Sequence, residues 1–329
     1  IGTGALSING GTLAYTGGNL NFNRAITVGL SGGTIQSTTA GVTTLTLSGG
    51  INNSGVLTFN TTGAGPANIT MATNAITGAG SVVKNGTGNL TFGVANTYLG
   101  TTTVNNGTLT VGNINALGSG ATQSSSITVA SGATLTMNAN GTFGNTNPLT
   151  LNGVGITAAG ALISTTGTST MINPITLAGN TTFGGTNGLT LNGIINDGGN
   201  GFGITKLGAG TLTLGGSNTF TGSTSINVGT MTLSNTNALG SGVTQSSGIT
   251  VTATGAVLNL NFATSTFGNT NNITLNGTGI SSAGALIAST STPTLTNAIT
   301  LNSNTTIGGA NNMILNGSIT DGGNAYSLT

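Results

Sequence analysis

Five side chains carry all the charge of this 329-residue chain: Arg24, Lys84, Lys206, Asp197 and Asp321. Acid–base work on a glycosidic bond needs paired carboxylates, or one carboxylate with a basic group or a metal. The two aspartates belong to one motif met twice, Asp197-Gly198-Gly199-Asn200 and Asp321-Gly322-Gly323-Asn324, 124 residues apart. In a stack of coils that spacing separates them by roughly 25 Å, too far for a pair. Each reads instead as an aspartate opening a glycine turn. A calcium site would have to find nearly all of its six to eight oxygens on backbone carbonyls. No residue is therefore assigned a catalytic, cofactor-binding or metal-binding role, and no cofactor is expected.

Lys84 and Lys206 occupy equivalent positions. They are expected at corners, with the head in water and the stem on apolar surface, where they discourage edge pairing. Lys206 has Asp197 near it in sequence, and a surface pair between them would be worth about 0–1 kcal/mol. Tyr15, Tyr98, Phe220 and Tyr326 are expected in rim or core packing rather than as a platform for sugars. A net charge of +1 without a basic cluster excludes nucleic acid as a partner. No apolar run reaches the length of a spanning helix, and the absence of cysteine excludes disulfides and thiolate metal sites.

The elements around these residues are short and alternating. From Gly201 to Asn235 the runs Thr211-Leu212-Thr213-Leu214, Thr224-Ser225-Ile226 and Thr230-Met231-Thr232-Leu233 are separated by glycines. Period two sends Leu212, Leu214, Met231 and Leu233 to one face and the threonines to the other. Lys84 to Val111 repeats the order of strands, corners and lone lysine, and a shortened copy runs from Gly2 to Leu13. These segments resemble the autotransporter-associated β-strand repeat, also called the passenger-associated transport repeat, of bacterial secreted and surface proteins. The family pattern falls on Lys206, Gly208, Gly210, Thr211, Leu212, Leu214, Gly216, Asn218, Thr219, Gly222, Thr224, Ile226, Gly229 and Thr230. Phe220, Ile226 and Met231 stand where the pattern has tyrosine, valine and leucine. The resemblance implies a right-handed parallel β-helix located outside the cell, at the bacterial surface.

Charged residues make up 2% of the chain, where about 25% is usual. Regular apolar spacing nevertheless favours an ordered stack over a solvated coil. Residues 1–77 form a less regular block, in which Arg24-Ala25-Ile26-Thr27-Val28 leads to Ser31-Gly32-Gly33-Thr34-Ile35, and Gly63 and Pro66 mark a looser corner. The blocks 78–200 and 201–329 then repeat one another, at an offset of 122 residues near Asn115 and 124 near Ala159. That places a gain of two residues around Thr254 to Thr264. A shorter echo of 40 residues, Leu149 to Gly153 against Leu189 to Gly193 and Ile273 to Gly277 against Met313 to Gly317, suggests two coils of about 20 residues. Asn-Gly after each of these strands is expected to turn with both residues at left-handed φ. Coils of roughly 22 residues predict one continuous β-solenoid of about 15 coils without a helical domain.

The function expected is that of an extracellular structural or adhesive stalk or filament component, non-enzymatic, whose partner is itself or a cell-surface or matrix polysaccharide. An ice-binding solenoid is the alternative, through Thr-x-Thr arrays such as Thr108-Leu109-Thr110, Thr134-Leu135-Thr136 and Thr211-Leu212-Thr213. Drifting coil lengths and Asn259 in the array count against it. Because Ser327 to Thr329 matches Gly203 to Thr205, the repeat phase predicts that a segment like Ile1 to Ile8 follows Thr329, in the same chain or in the next subunit of a filament.

Overall fold

Alternating apolar residues interrupted every few positions by glycine give strands too short to bury a face alone, so they bury it by stacking. The computed structural model describes residues 4–38, 43–62, 67–252 and 254–329. The corner expected at Gly63 and Pro66, and Ile1 to Thr3 of the opening copy, lie outside the described residues. The fold is all-β, with parallel sheets stacked as a β-solenoid of about 13 turns. No α-helix occurs among the described residues, only two short 3-10 turns, Ile156–Ala158 and Ile280–Ser282. The chain divides into two units, Ile1–Asn173 and Pro174–Thr329.

In the first unit one inward column runs Leu13, Ile35, Phe59, Lys84, Val104, Val129 and Leu151, each in register with the next. A second runs Leu45, Ile69, Leu90, Leu109, Leu135 and Leu162, every member at most 2% exposed. In the second unit the matching columns are Phe183, Lys206, Ile226, Val251, Leu275 and Leu301, and Leu189, Leu212, Met231, Leu258 and Leu286. The faces expected for Leu212, Leu214, Met231 and Leu233 are those observed, all four being buried.

Three expectations are corrected. About 13 turns form where about 15 were expected, because the average turn is longer than 22 residues, and turn lengths also vary widely. The step from Leu90 to its partner Leu109 is short, whereas that from Leu258 to Leu286 is half as long again. The 40-residue echo is not two coils. Ile273 pairs with Ile299 in the next coil, a step well over half of the echo, whereas Ile314–Leu315 pairs with Thr294–Leu295 in a different sheet. The echo therefore compares two sheets that share a strand pattern. In the Asn-Gly pairs at 152–153 and 276–277, only Gly153 and Gly277 take positive φ, because glycine alone does so without steric cost.

The gain of two residues between blocks is seen directly. The step from Met231 to Leu258 is one residue longer than its counterpart from Leu109 to Leu135. The following step, Leu258 to Leu286, is again one residue longer than Leu135 to Leu162. Turns absorb these changes while the strands keep register.

Leu212 stacks between Leu189 and Met231 at 1% exposure. Leu212→Asp places an unpaired carboxylate in that column and is expected to cost on the order of 4 kcal/mol. Thr213→Asp on the outer face should cost less than about 1 kcal/mol. Thermal denaturation of both variants checks this, and an unchanged melting temperature for Leu212→Asp would put that side chain in solvent.

Candidate functional site

Lys84 and Lys206 are not at the surface. They sit in the apolar columns at 0% and 2% exposure, the first between Phe59 and Val104 and the second between Phe183 and Ile226. Each ammonium donates to three backbone carbonyls. Lys84 Nζ reaches Asn85 O at 2.9 Å, Gly86 O at 2.6 Å and Asn106 O at 3.1 Å. Lys206 Nζ reaches Leu207 O at 2.9 Å, Gly208 O at 2.6 Å and Val228 O at 3.1 Å. An ammonium has three hydrogens and no acceptor, so each cup is filled. Burial lowers the Lys84 amine to about 7 and the Lys206 amine to about 8. Gly107 and Gly229 close the cups, with φ of 72° and 76°. A Cβ on them would stand 2.6 Å from Lys84 Nζ and 2.9 Å from Lys206 Nζ.

The pair expected between Lys206 and Asp197 is not formed, because both groups are fully engaged elsewhere. Asp197, 1% exposed, accepts from Gly199 N at 2.9 Å on Oδ1, and on Oδ2 from Phe202 N at 3.0 Å, Thr221 N at 3.1 Å and Thr221 Oγ1 at 2.7 Å. Burial alone would raise its carboxyl, but the Thr221 hydroxyl and N–H, with the Gly199 and Phe202 amides, outweigh it and hold the group below its ordinary value. Asp321 repeats the turn, accepting from Gly323 N at 2.9 Å and Tyr326 N at 3.0 Å, and the Gly323 amide leads the groups that lower its carboxyl. N–H groups aimed at both carboxylates leave them poorly placed to ligate a cation or take up a proton. Among the described residues no group of three His, Cys, Asp or Glu could hold a metal.

Sequence reasoning does not assign a role to the buried asparagines. Asn96 Oδ1 accepts from Ile76 N at 2.8 Å while its Nδ2 donates to Ala116 O at 2.7 Å, joining the coils before and after its own. Asn218 makes the same clip between Ile195 N at 2.8 Å and Ala238 O at 2.6 Å. The signal is present, since both asparagines belong to the Asn-Thr-aromatic stretch of the repeat. Tyr98 follows in the core, its hydroxyl 2.6 Å from Thr102 Oγ1, which is 2.8 Å from Ser124 Oγ. Phe220 fills the corresponding place without the hydroxyl. Both aromatics pack in the core, as expected. Tyr15 and Tyr326 are half-buried.

The Thr-x-Thr array is in better register than coil-length drift suggests. Thr46, Thr70, Thr91, Thr110 and Thr136 form an unbroken row. The row closes at Thr136, which is buried along with Thr134, and Thr134 Oγ1 is tied to Gly160 O and Ile156 N. Thr110 is also occupied, donating to Asn89 Oδ1 at 2.9 Å.

Lysine cup, asparagine clip and stacked strands recur together in two segments, and the passenger-associated-transport-repeat profile matches those segments, residues 82–111 and 204–233. Both are passenger-associated transport repeats. The adhesin BmaC autotransporter of Brucella suis biovar 1 (strain 1330) is similar to the chain, 35% identical over 130 residues. That match covers 40% of this chain and 3% of the adhesin, so the chain spans a small part of its relative's length. No solved structure matches. No helix among the described residues is long and apolar enough to cross a membrane.

Two outcomes follow for the repeats. Asn218→Ala leaves the Ile195 N–H and the Ala238 carbonyl unpaired in the core, and unfolding should become easier by roughly 2–4 kcal/mol in denaturant titration. Asp197 has its folded pKa below the unfolded value of about 3.9. Its contribution is therefore present above that pH and lost as pH falls through the folded pKa. Melting curves recorded from pH 6 to pH 2 should fall less steeply for Asp197→Asn than for the natural chain. Parallel curves would show that Asp197 does not couple to folding.

Proposed function

We propose that this chain is a segment of a non-enzymatic adhesive passenger at the bacterial surface or outside the cell. It acts through its length, and it associates with copies of itself. The observation that carries the reading is the pair of transport repeats in a stacked β-solenoid whose buried charges, Lys84, Lys206 and Asp197, are held by hydrogen bonds within its own coils. The similarity to an autotransporter adhesin supports the adhesive part. Self-association is supported by composition: with a net charge of +1, two copies approach with little electrostatic repulsion. The carboxylates argue against hydrolysis, because each lies in its own amide-lined turn with no partner acid.

Sedimentation velocity over a concentration series, alongside assays on pectin, alginate and chitin, tests the proposal. Concentration-dependent species above the monomer and no sugar release are expected. Turnover that disappears in Asp197→Asn would remove the non-enzymatic part, and a strict monomer at every concentration the self-associating part. The threonine row from Thr46 to Thr110 keeps ice binding as a second reading. Thermal hysteresis lost in Thr70→Tyr would put that reading ahead.

A further inference from the structure

An asparagine followed by glycine can modify itself, because no Cβ blocks the glycine nitrogen from reaching the asparagine side chain. Hydrogen bonds disarm several of the Asn-Gly pairs in this chain. Asn9 and Asn140 are held through Oδ1 by Ser31 N and Thr168 N. The Gly201 and Gly277 amides are spent on Thr221 Oγ1 and Ser303 Oγ. Asn106 is restrained by neither. It is exposed, its side chain makes no hydrogen bond among the described residues, and the Gly107 N–H donates to no acceptor there. Its carbonyl, in contrast, takes a hydrogen from the Lys84 ammonium at 3.1 Å. The Asn106–Gly107 peptide is trans, so its N–H points away from that ammonium. Gly107 is buried, but with Asn106, Thr87 and Gly132 it lines a groove of about 330 Å³, which has room for water.

We propose that Asn106 is a site of self-modification, which deamidates through a succinimide closed by Gly107. The Gly107 nitrogen gives its proton to hydroxide in the groove and bonds to Asn106 Cγ. The Cγ–Nδ2 bond breaks, and the amide nitrogen takes a proton from water and leaves as ammonia. Water then opens the ring, at Cγ to give aspartate or at the main-chain carbonyl to give isoaspartate. Charge on the deprotonated nitrogen is shared with the Asn106 oxygen, where the Lys84 ammonium already stands to stabilise it. Lys84 also donates to Asn85 O, but Asn85 Oδ1 is held by Asn105 Nδ2 at 2.9 Å. In the second repeat Leu207 and Val228 stand in place of Asn85 and Asn106, and the Gly229 amide is spent on Gly255 O at 3.0 Å. The chemistry is therefore assigned to the first repeat alone. Residues 1–173 contain no acidic residue, so the product is the first carboxylate of that stretch and takes the net charge of the chain from +1 to 0, +1 − 1. It is independent of self-association, since the reaction needs one copy only.

Asn192 and Asn316 supply the reference rate. Both precede glycine, are exposed, and have unbound side chains and no ammonium at the carbonyl among the described residues. Timed incubation of the whole chain near neutral pH, followed by peptide mapping with mass spectrometry, reads all three sites at once. Asn106 should convert about tenfold faster than Asn192 and Asn316 in the folded chain, and within about twofold of them once the chain is unfolded in guanidinium. The Lys84 contribution has its own readout. The strands against Lys84 present Phe59 and Val104, and Tyr98, the other titratable group of these coils, is pushed up by burial and keeps its proton. The excess of Asn106 over Asn316 should therefore shrink as pH rises through about 7, where the Lys84 amine loses its charge. Lys84→Met should bring Asn106 down to the rate of Asn316, and if that variant loses the natural melting temperature the pH profile of the natural chain decides. Asn106 converting no faster than the reference sites, an equal excess in the unfolded chain, or an excess that does not change with pH would each overturn the proposal.

Discussion

The parallel ladder between successive coils is the constraint on which the rest depends. Each strand satisfies its backbone only through the strands before and after it, and a slip of one residue would turn a column such as Leu90–Leu109–Leu135 out to solvent. The links between strands are free to vary as long as the ladder keeps register. That is why a coil as short as Leu90 to Leu109 coexists with one as long as Leu258 to Leu286. The extra residues of the second block likewise fall between strands rather than inside them.

Register in such a stack must be held at the corners, where the strands end and the ladder gives no guidance. The buried polar groups do this. Lys84 joins the carbonyls of its own turn to that of Asn106 in the next. Asn96 joins Ile76 and Ala116 across two coil boundaries. Asp197 orders its own turn and then captures Thr221. Each group costs desolvation, and each recovers it by taking a full set of partners from at least two coils. A chain with 2% charged residues can thus stay folded because its few charges are used as fasteners.

The fold is legible in the sequence wherever alternation is clean. Thr211 to Leu214 shows which residues face inward without reference to anything distant. The lysines are misplaced when the usual exposure of lysine is weighed above parity, although Val82 and Lys84, like Ile204 and Lys206, fall on the same side of a period-two strand. What the sequence cannot show is the carbonyl cup, since Asn106 and Val228 lie 22 residues from their lysines. The coil count fails for a similar reason. Turn length is set by what each corner must go around, and composition does not report it.

The two repeats also show which parts of the pattern are interchangeable. Tyr98 becomes Phe220, Val104 becomes Ile226 and Leu109 becomes Met231, and all six side chains are buried. Volume-conserving exchanges of this kind cost little, because dispersion and burial depend on filling space. The loss of the Tyr98 hydroxyl is tolerated since Thr224 and Ser246 still bond one another at 2.9 Å. Lysine, asparagine and the cup-closing glycines are the same in both copies. Replacing the lysine or the asparagine would strand buried donors or acceptors on a neighbouring coil, and the penalty for an unpaired group exceeds the gain from making the bond, while a Cβ on either glycine would crowd the lysine Nζ. The repeat is thus defined less by its core than by the polar atoms that carry register from one coil to the next.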